Sequence, residues 1–173
     1  MTVAEFAALP DEDGVKRELI DGEVFEMASG GPVHERVKSN ITRLLWRFVE
    51  AHQIKALVQS ETRYHLPEIV CQPDVSLVLG ESLDPSKSGK ITIAPDLAFE
   101  VVSSETAEQL HHKVKALLAS GTSAVVAIYA SDREIVVQRA GRRMEWVESG
   151  GLLSLDDILP GFAIPAASVF EGI

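Results

Sequence analysis

Four acidic residues stand in or beside apolar runs of the chain: Glu61, Asp74, Asp96 and Glu100. Glu100 is the sharpest case, because "APDLAFEVVSSE" (94–105) reads as a buried strand with a carboxylate inside it. A charge there is costly unless something pairs with it. Strand alternation sets Ala98, Glu100 and Val102 on one face, and Asp74, Ser76 and Val78 on one face of "PDVSLVL". If the two strands are neighbours, Asp74 and Glu100 converge at one end of a sheet. Two carboxylates beside backbone carbonyls make an oxygen-rich site, the chemistry that Mg²⁺ or Mn²⁺ prefers. The alternative for each acid is structural: an edge residue facing water, or half of a core ion pair.

Pro67-Glu68 separates "KALVQSETRYHL" from "IVCQPDVSLVLG". As the two central residues of a tight hairpin they set Leu66 against Ile69 and Glu61 against Asp74. Like charges there repel, unless a cation lies between them or a loop of another length shifts the register.

The elements that must position these acids follow from pattern. Thr2 and Glu5 form a capping box, so a short helix starts at the N-terminus, with Pro10 and Gly14 ending it. "KRELIDGEVFEMA" reads as a hairpin turning at Asp21-Gly22. Val33, Val37, Ile41, Leu44, Leu45 and Phe48 recur at helical spacing in "GGPVHERVKSNITRLLWRFVEAHQ". "GESLDPSKSGK" reads as a polar loop. "TAEQLHHKVKALLASG" reads as a second helix with Leu110, Val114, Leu117 and Leu118 on its apolar face and Gly121 as its stop. "SAVVAIYA" is apolar almost throughout, as a strand covered on both faces would be. "REIVVQRA" and "RRMEWVES" read as strands flanking a turn at Ala140-Gly141, and the tail as short turns and helical fragments. The expected fold class is α/β (α+β): a mixed sheet with flanking helices and added hairpins, in a single domain over residues 1–173.

Composition narrows the classes further. With 26 acidic against 16 basic residues the net charge is −10, which counts against a protein that coats nucleic acid electrostatically. It leaves a nuclease open, since a bound divalent metal reverses the local sign of an acidic cleft. The best basic cluster, Arg36, Lys38, Arg43 and Arg47, is interrupted along one helix and reads as a solvated face. One cysteine, Cys71, allows no intrachain disulfide and no Cys-based zinc site; it reads as a small buried hydrophobe. The N-terminal stretch is acidic without an apolar core, so no signal peptide is expected, and no apolar run is long enough to span a bilayer. A cytoplasmic protein is the expectation.

"QPDVSLVL", then "PDLAFEVVS", then a helix carrying lysine resembles the PD-(D/E)XK nuclease superfamily, and more closely its Uma-type restriction endonuclease family. "RELIDGEVFEM" resembles that family's opening hairpin, "GGPVHERV" the segment before its first core helix, and "LLSLDDILPGF" its closing segment. The resemblance implies a restriction-endonuclease-like fold and a Mg²⁺-dependent endonuclease acting on DNA. It implies Asp74 and Glu100 as metal ligands, with the Val101 carbonyl as a third. It matches the family's helix lysine to Lys113, since the superfamily position two residues after Glu100 is Val102. His34, Glu23 and Glu61 are accessory candidates. A homodimer would suit cleavage of both strands. Three positions depart from the family pattern: Ser103-Ser104 in place of Ser-Pro, Gln109 in place of an acid, and Leu117 in place of an aromatic. They keep a second reading open, a binding module that retains the fold without the chemistry. His111-His112 reads as a solvated pair, since adjacent helix positions point about 100° apart. Ser103 and Ser104 lack a nucleophile elbow, and no Walker-type loop is present. Trp46 and Phe48 read as core or dimer surface.

Overall fold

The Thr2–Glu5 capping box does start a helix, α1 (Val3–Phe6). It ends before Pro10, and Gly14 lies outside the described residues. The computed structural model describes residues 1–10, 15–27, 30–80, 90–103 and 105–173, which excludes nearly all of the expected polar loop. Asp21 and Gly22 take left-handed φ values of 49° and 80°, as a tight hairpin turn requires, and join β1 (Lys16–Ile20) to β2 (Glu23–Met27). Helix α2 (Pro32–Ala51) follows, with proline at its start where a missing N–H costs nothing.

The hairpin at Pro67-Glu68 has the expected register. Leu66 N–H donates to the Ile69 carbonyl at 2.9 Å, and β4 (Tyr64–His65) pairs antiparallel with β5 (Val70–Cys71). The same register carries down both arms into β3 (Ala56–Ser60) and β6 (Val75–Leu79), where Ser60 pairs with Val75. Glu61 therefore does fall across from Asp74, and its N–H donates to the Asp74 carbonyl at 3.2 Å. The two arms cross between sheets. The hairpin end joins a four-stranded sheet of order β2-β1-β5-β4.

The other arm enters the central sheet. Strand β7 (Leu97–Val101), helix α3 (Ala107–Ala119) and β8 (Ala124–Tyr129) form a crossover unit, so β7 and β8 are parallel. With β9 (Glu134–Arg139) and β10 (Glu145–Glu148) the six-stranded order is β10-β9-β8-β7-β6-β3. Asp96 ties the start of β7 to its neighbours: its Oδ2 accepts from Leu79 N–H at 2.7 Å, and its carbonyl from Ser123 N–H at 3.0 Å. That is a structural role, at the very start of the strand.

Each face of the central sheet carries one helix. Val37, Ile41, Leu45 and Val49 of α2 pack on Leu97, Phe99, Val126 and Ile128. Leu110, Val114 and Leu117 of α3 pack on Ala98, Val125 and Ala127. Strand β8 is thus covered on both faces, which explains its nearly unbroken apolar sequence. Each fully buried Val, Leu or Ile stabilises the fold by about 1.5–3 kcal/mol relative to exposure. Val33, expected on the apolar face of α2, is half exposed, one turn ahead of Val37, which is buried. The tail also differs from expectation. Leu152–Ser154 (β11) and Ala163–Pro165 (β12) pair as strands, followed by a 3-10 helix over Ala166–Phe170. Three-residue strands are too short for alternation to show, and Leu153, Leu155, Leu159 and Phe162 are held by burial in the α2-side core. No helix among the described residues is long and apolar enough to cross a membrane.

Candidate active site

Strands β6 and β7 are neighbours, with Val75 opposite Phe99 and Leu77 opposite Leu97. The next step of that register sets Asp74 against Glu100 at the sheet end. Both are buried, at 5% and 2% exposure. Val101 N–H donates to Asp74 Oδ2 at 2.8 Å, fixing the aspartate against the end of β7.

Lys113 reaches this point from α3. The helix is started by a capping box in which Thr106 and Gln109 bond each other's backbone N–H. Gln109, which departs from the family's acid, does this capping work. Lys113 then falls two turns past the Thr106 cap with its side chain 4% exposed, inside the fold. Its ammonium donates to Glu18 Oε1 at 2.9 Å and lies 2.8 Å from Glu100 Oε1 as an ion pair. Glu18 comes from β1, is fully buried, and also accepts from Gln72 N–H at 2.7 Å.

From α2, His34 Nε2 stands 3.2 Å from Asp74 Oδ2. An ionised carboxylate only accepts, so the ring nitrogen donates. Gly30 makes room: a Cβ there would collide with the His34 ring. Lys16 Nζ lies 3.9 Å from Asp74 Oδ1.

The charges follow from these contacts. Burial works against the Asp74 carboxylate, but His34, Lys16 and the Val101 N–H outweigh it and hold its pKa below the usual value. The Asp74 hydrogen bond raises the His34 pKa against the effect of burial. For Glu100 the balance reverses. Burial raises its pKa to about 8; Lys113 pulls against that shift, while Asp74 and Glu18 add to it. Lys113 is buried too, yet Glu100 and Glu18 raise its pKa well above the usual lysine value, so it is an ammonium.

The sequence matches the family model described as "Uma2: Putative restriction endonuclease" over residues 3–167. This chain belongs to the Uma2 family. A crystal structure of "a putative nuclease belonging to DUF820" from Anabaena variabilis ATCC 29413 is similar over 98% of this chain and 97% of that one, with a TM-score of 0.86 and 20% sequence identity. At that identity the likeness is one of fold, and it bears out the expected restriction-endonuclease-like architecture. No curated protein matches the sequence.

The residues expected at the Uma2 site divide. Asp74, Glu100, Val101, Lys113, His34 and Glu61 line one narrow cleft of about 40 Å³, together with Lys16, Ser103 and Glu105. Glu61 does not face Asp74 as a like charge, despite the register. Its φ of 50° marks a left-handed turn, and its half-exposed carboxylate pairs with Lys38 Nζ at 3.2 Å. Lys38 is correspondingly part of no free basic face: it is nearly buried and bonds Glu35 at 2.8 Å as well. Glu23 is not in the cleft. It sits exposed beside the hairpin turn, lining a separate cleft with Asp21 and His112. His112 Nδ1 pairs with the Asp21 carboxylate, so the expected solvated histidine pair holds only for His111. Trp46 is exposed and Phe48 packs partly buried against Phe162. Cys71 is buried, as expected, and its thiol pKa is pushed up by that burial.

Glu18 and Lys16 escaped sequence reasoning, although the signal was present. In "KRELI", alternation puts Lys16 and Glu18 on the face of Ile20, which is buried. That is the same anomaly, a charge on a buried strand face, that singled out Glu100.

The donor chemistry fits a hard divalent cation. Glu18 Oε2 is buried without a hydrogen-bond partner, and Glu100 Oε1 has its ion pair with Lys113. Among the described residues no three His, Cys, Asp or Glu side chains are grouped to hold a metal by themselves. One or two carboxylates completed by carbonyls, water and substrate oxygens is how Mg²⁺ is commonly held, and Asp74 with Glu100 matches that number.

Proposed function

We propose that this Uma2 protein hydrolyses phosphodiester bonds of DNA with the help of Mg²⁺ or Mn²⁺. The observation that carries this reading is the buried Lys113 ammonium set against Glu100, beside Asp74, at the shared end of β6 and β7. Asp74, Glu100 and the Val101 carbonyl are the groups that would hold the ion. Its chemistry there is to activate water and to stabilise charge on the scissile phosphate.

The protein's own groups divide the remaining work. Lys113 takes the part of the superfamily lysine that Val102 cannot play. Because Glu100 and Glu18 keep it protonated, it donates hydrogen bonds and positive charge to the water or the phosphoryl oxygens, and it does not act as a base. His34 and Lys16 keep Asp74 ionised and therefore able to ligate. Glu18 positions Lys113 from behind. A two-fold dimer of such sites would let each copy cut one strand of a duplex.

The test is cleavage of plasmid and single-stranded DNA with Mg²⁺ or Mn²⁺ by wild type, Asp74→Ala and Glu100→Ala. The expected result is metal-dependent cutting by wild type alone. Equal cutting by all three proteins overturns the reading. If wild type binds DNA and cuts none, the second reading takes over, a binding module on this fold, for which Val102 and the charge of −10 already speak.

A further inference from the structure

Helix α3 has two flanks of opposite character. One carries Lys113 into the acidic cluster. The other borders an open groove of about 570 Å³ between α3 and the β9–β10 turn. His111 and Lys115, one helical turn apart, line it from α3; Arg139, Arg142 and Arg143 line it from the turn. Among the described residues no Asp or Glu lines it, although the chain carries 26. The cleft at the hairpin turn, by contrast, is lined by Asp21, Glu23 and Glu108.

We infer that this groove binds the sugar-phosphate backbone of the DNA substrate, an inference that rests on the hydrolytic reading above. Arg139 and Arg142 are already held by Asp157 at 3.0 Å each, so they shape the wall more than they add free charge. Lys115 and Arg143 are exposed and make no ion pair with any described residue. They are the cations left to meet phosphate. Leu118 and Met144 supply an apolar stretch of wall against which sugars can lie.

Among polyanions, the substrate of the hydrolytic reading makes DNA the occupant in place of an acidic protein. Val114 in the groove directly follows Lys113 in the cluster, and a helix is about 10–12 Å across with its side chains. The groove and the cluster thus lie on two flanks of one helix, with Lys113 turned into the fold. In an acidic molecule, a groove whose described lining is basic, with its nearby Asp157 and Glu145 already paired to arginine, is where a polyanion meets the least repulsion. None of this is legible along the chain, because Lys115 and Arg143 are brought together only by the β7–α3–β8 crossover and the β8–β9 pairing.

The test measures binding of a fluorescein-labelled DNA duplex by anisotropy, in EDTA so that nothing is cut, over a range of salt. The double variant Lys115→Ala/Arg143→Ala removes two exposed side chains and is checked for folding by circular dichroism. Its affinity is expected to fall on the order of tenfold, and the slope of log K against log salt to shrink by about 2. The control Arg47→Ala, on exposed α2 surface, should change neither. Unchanged affinity and slope in the double variant overturn the inference, as does a wild type that binds no DNA or binds an acidic peptide more tightly. Failure of the hydrolytic reading looks different: wild type then binds DNA with the full slope but cuts none when Mg²⁺ is restored. If both hold, the double variant cuts with raised KM and nearly unchanged kcat.

Discussion

Two lysines, one on each long helix, stand between two glutamates at the edge of the cleft that holds Asp74. Lys38 of α2 bonds Glu35 at 2.8 Å and Glu61 at 3.2 Å. Lys113 of α3 meets Glu18 at 2.9 Å and Glu100 at 2.8 Å. The compositions are the same and the distances nearly so. Exposure separates them: Glu35 and Glu61 are about half exposed, whereas Glu18 and Glu100 are buried. Lys38 lowers the pKa of Glu35, while burial raises that of Glu100 despite Lys113. Water, more than the partner lysine, decides whether a carboxylate rests as an anion. The exposed cluster is electrostatically settled. In the buried one a single ammonium does not hold both desolvated carboxylates ionised, so Glu100 keeps its proton up to about pH 8.

The largest effect should come from removing the buried lysine. Lys113→Met leaves Glu18 and Glu100 desolvated without a counter-charge, and breaking a buried pair in this way costs about 3–5 kcal/mol. Urea unfolding of the variant should show that loss, and DNA cleavage should disappear with it. A second change, Glu18→Gln, should return part of the stability but none of the cleavage, because it removes a stranded charge without restoring the ammonium. A variant at Lys113 that loses less than about 1 kcal/mol would show that the cluster is better hydrated than its burial indicates.

Glu100 gives the next effect, and its sign is opposite to that of an ordinary paired carboxylate. Its pKa in the folded protein is about 8, above the 4.5 of the free side chain, so the folded state binds an extra proton between those values. Its contribution to stability is complete below about 4.5 and is lost as pH rises towards 8. Urea unfolding in EDTA across that window should show a decline in wild type that Glu100→Gln reduces. Comparing the two proteins cancels the other titrating groups, including Asp74, whose lowered pKa acts in the reverse sense. Parallel curves would remove Glu100 as the source.

Much of this arrangement was legible before any coordinates. The register about Pro67-Glu68 rested on assuming a tight two-residue turn there, and the placing of Asp74 by Glu100 on alternation plus a second assumption, that β6 and β7 are neighbours; both hold. Lys113 was the limit of what spacing could decide: helical periodicity placed it on the border of an apolar face, and only the packing of β1 against α3 turned that border inward. Glu61 shows the reverse failure. Its register was right and its direction wrong, because a single left-handed residue redirects a side chain without shifting the pairing. Glu18 carried the same signal as Glu100, but more faintly, because its strand is short and half polar and Ile20 alone marks the buried face it shares. Local pattern thus fixed which residues are opposite one another, while burial, a property of the whole fold, fixed what charge they carry.

The smallest effect sharpens the opening comparison most. Lys38→Met removes the same ammonium from between two glutamates, but both carboxylates keep their contact with water. Such pairs contribute about 0.2–1 kcal/mol, and burial of the lysine itself already opposes its charge, with Glu35 and Glu61 outweighing that opposition. Methionine retains most of the apolar stem that packs along α2, so the expected loss in urea unfolding is about 1 kcal/mol or less. Glu61 then loses its partner at the rim without being stranded, because it can turn to solvent. If instead Lys38→Met destabilised the protein as much as Lys113→Met, exposure of the carboxylates would not be what distinguishes the clusters. The charge state assigned to Glu100 would then need a cause other than its burial.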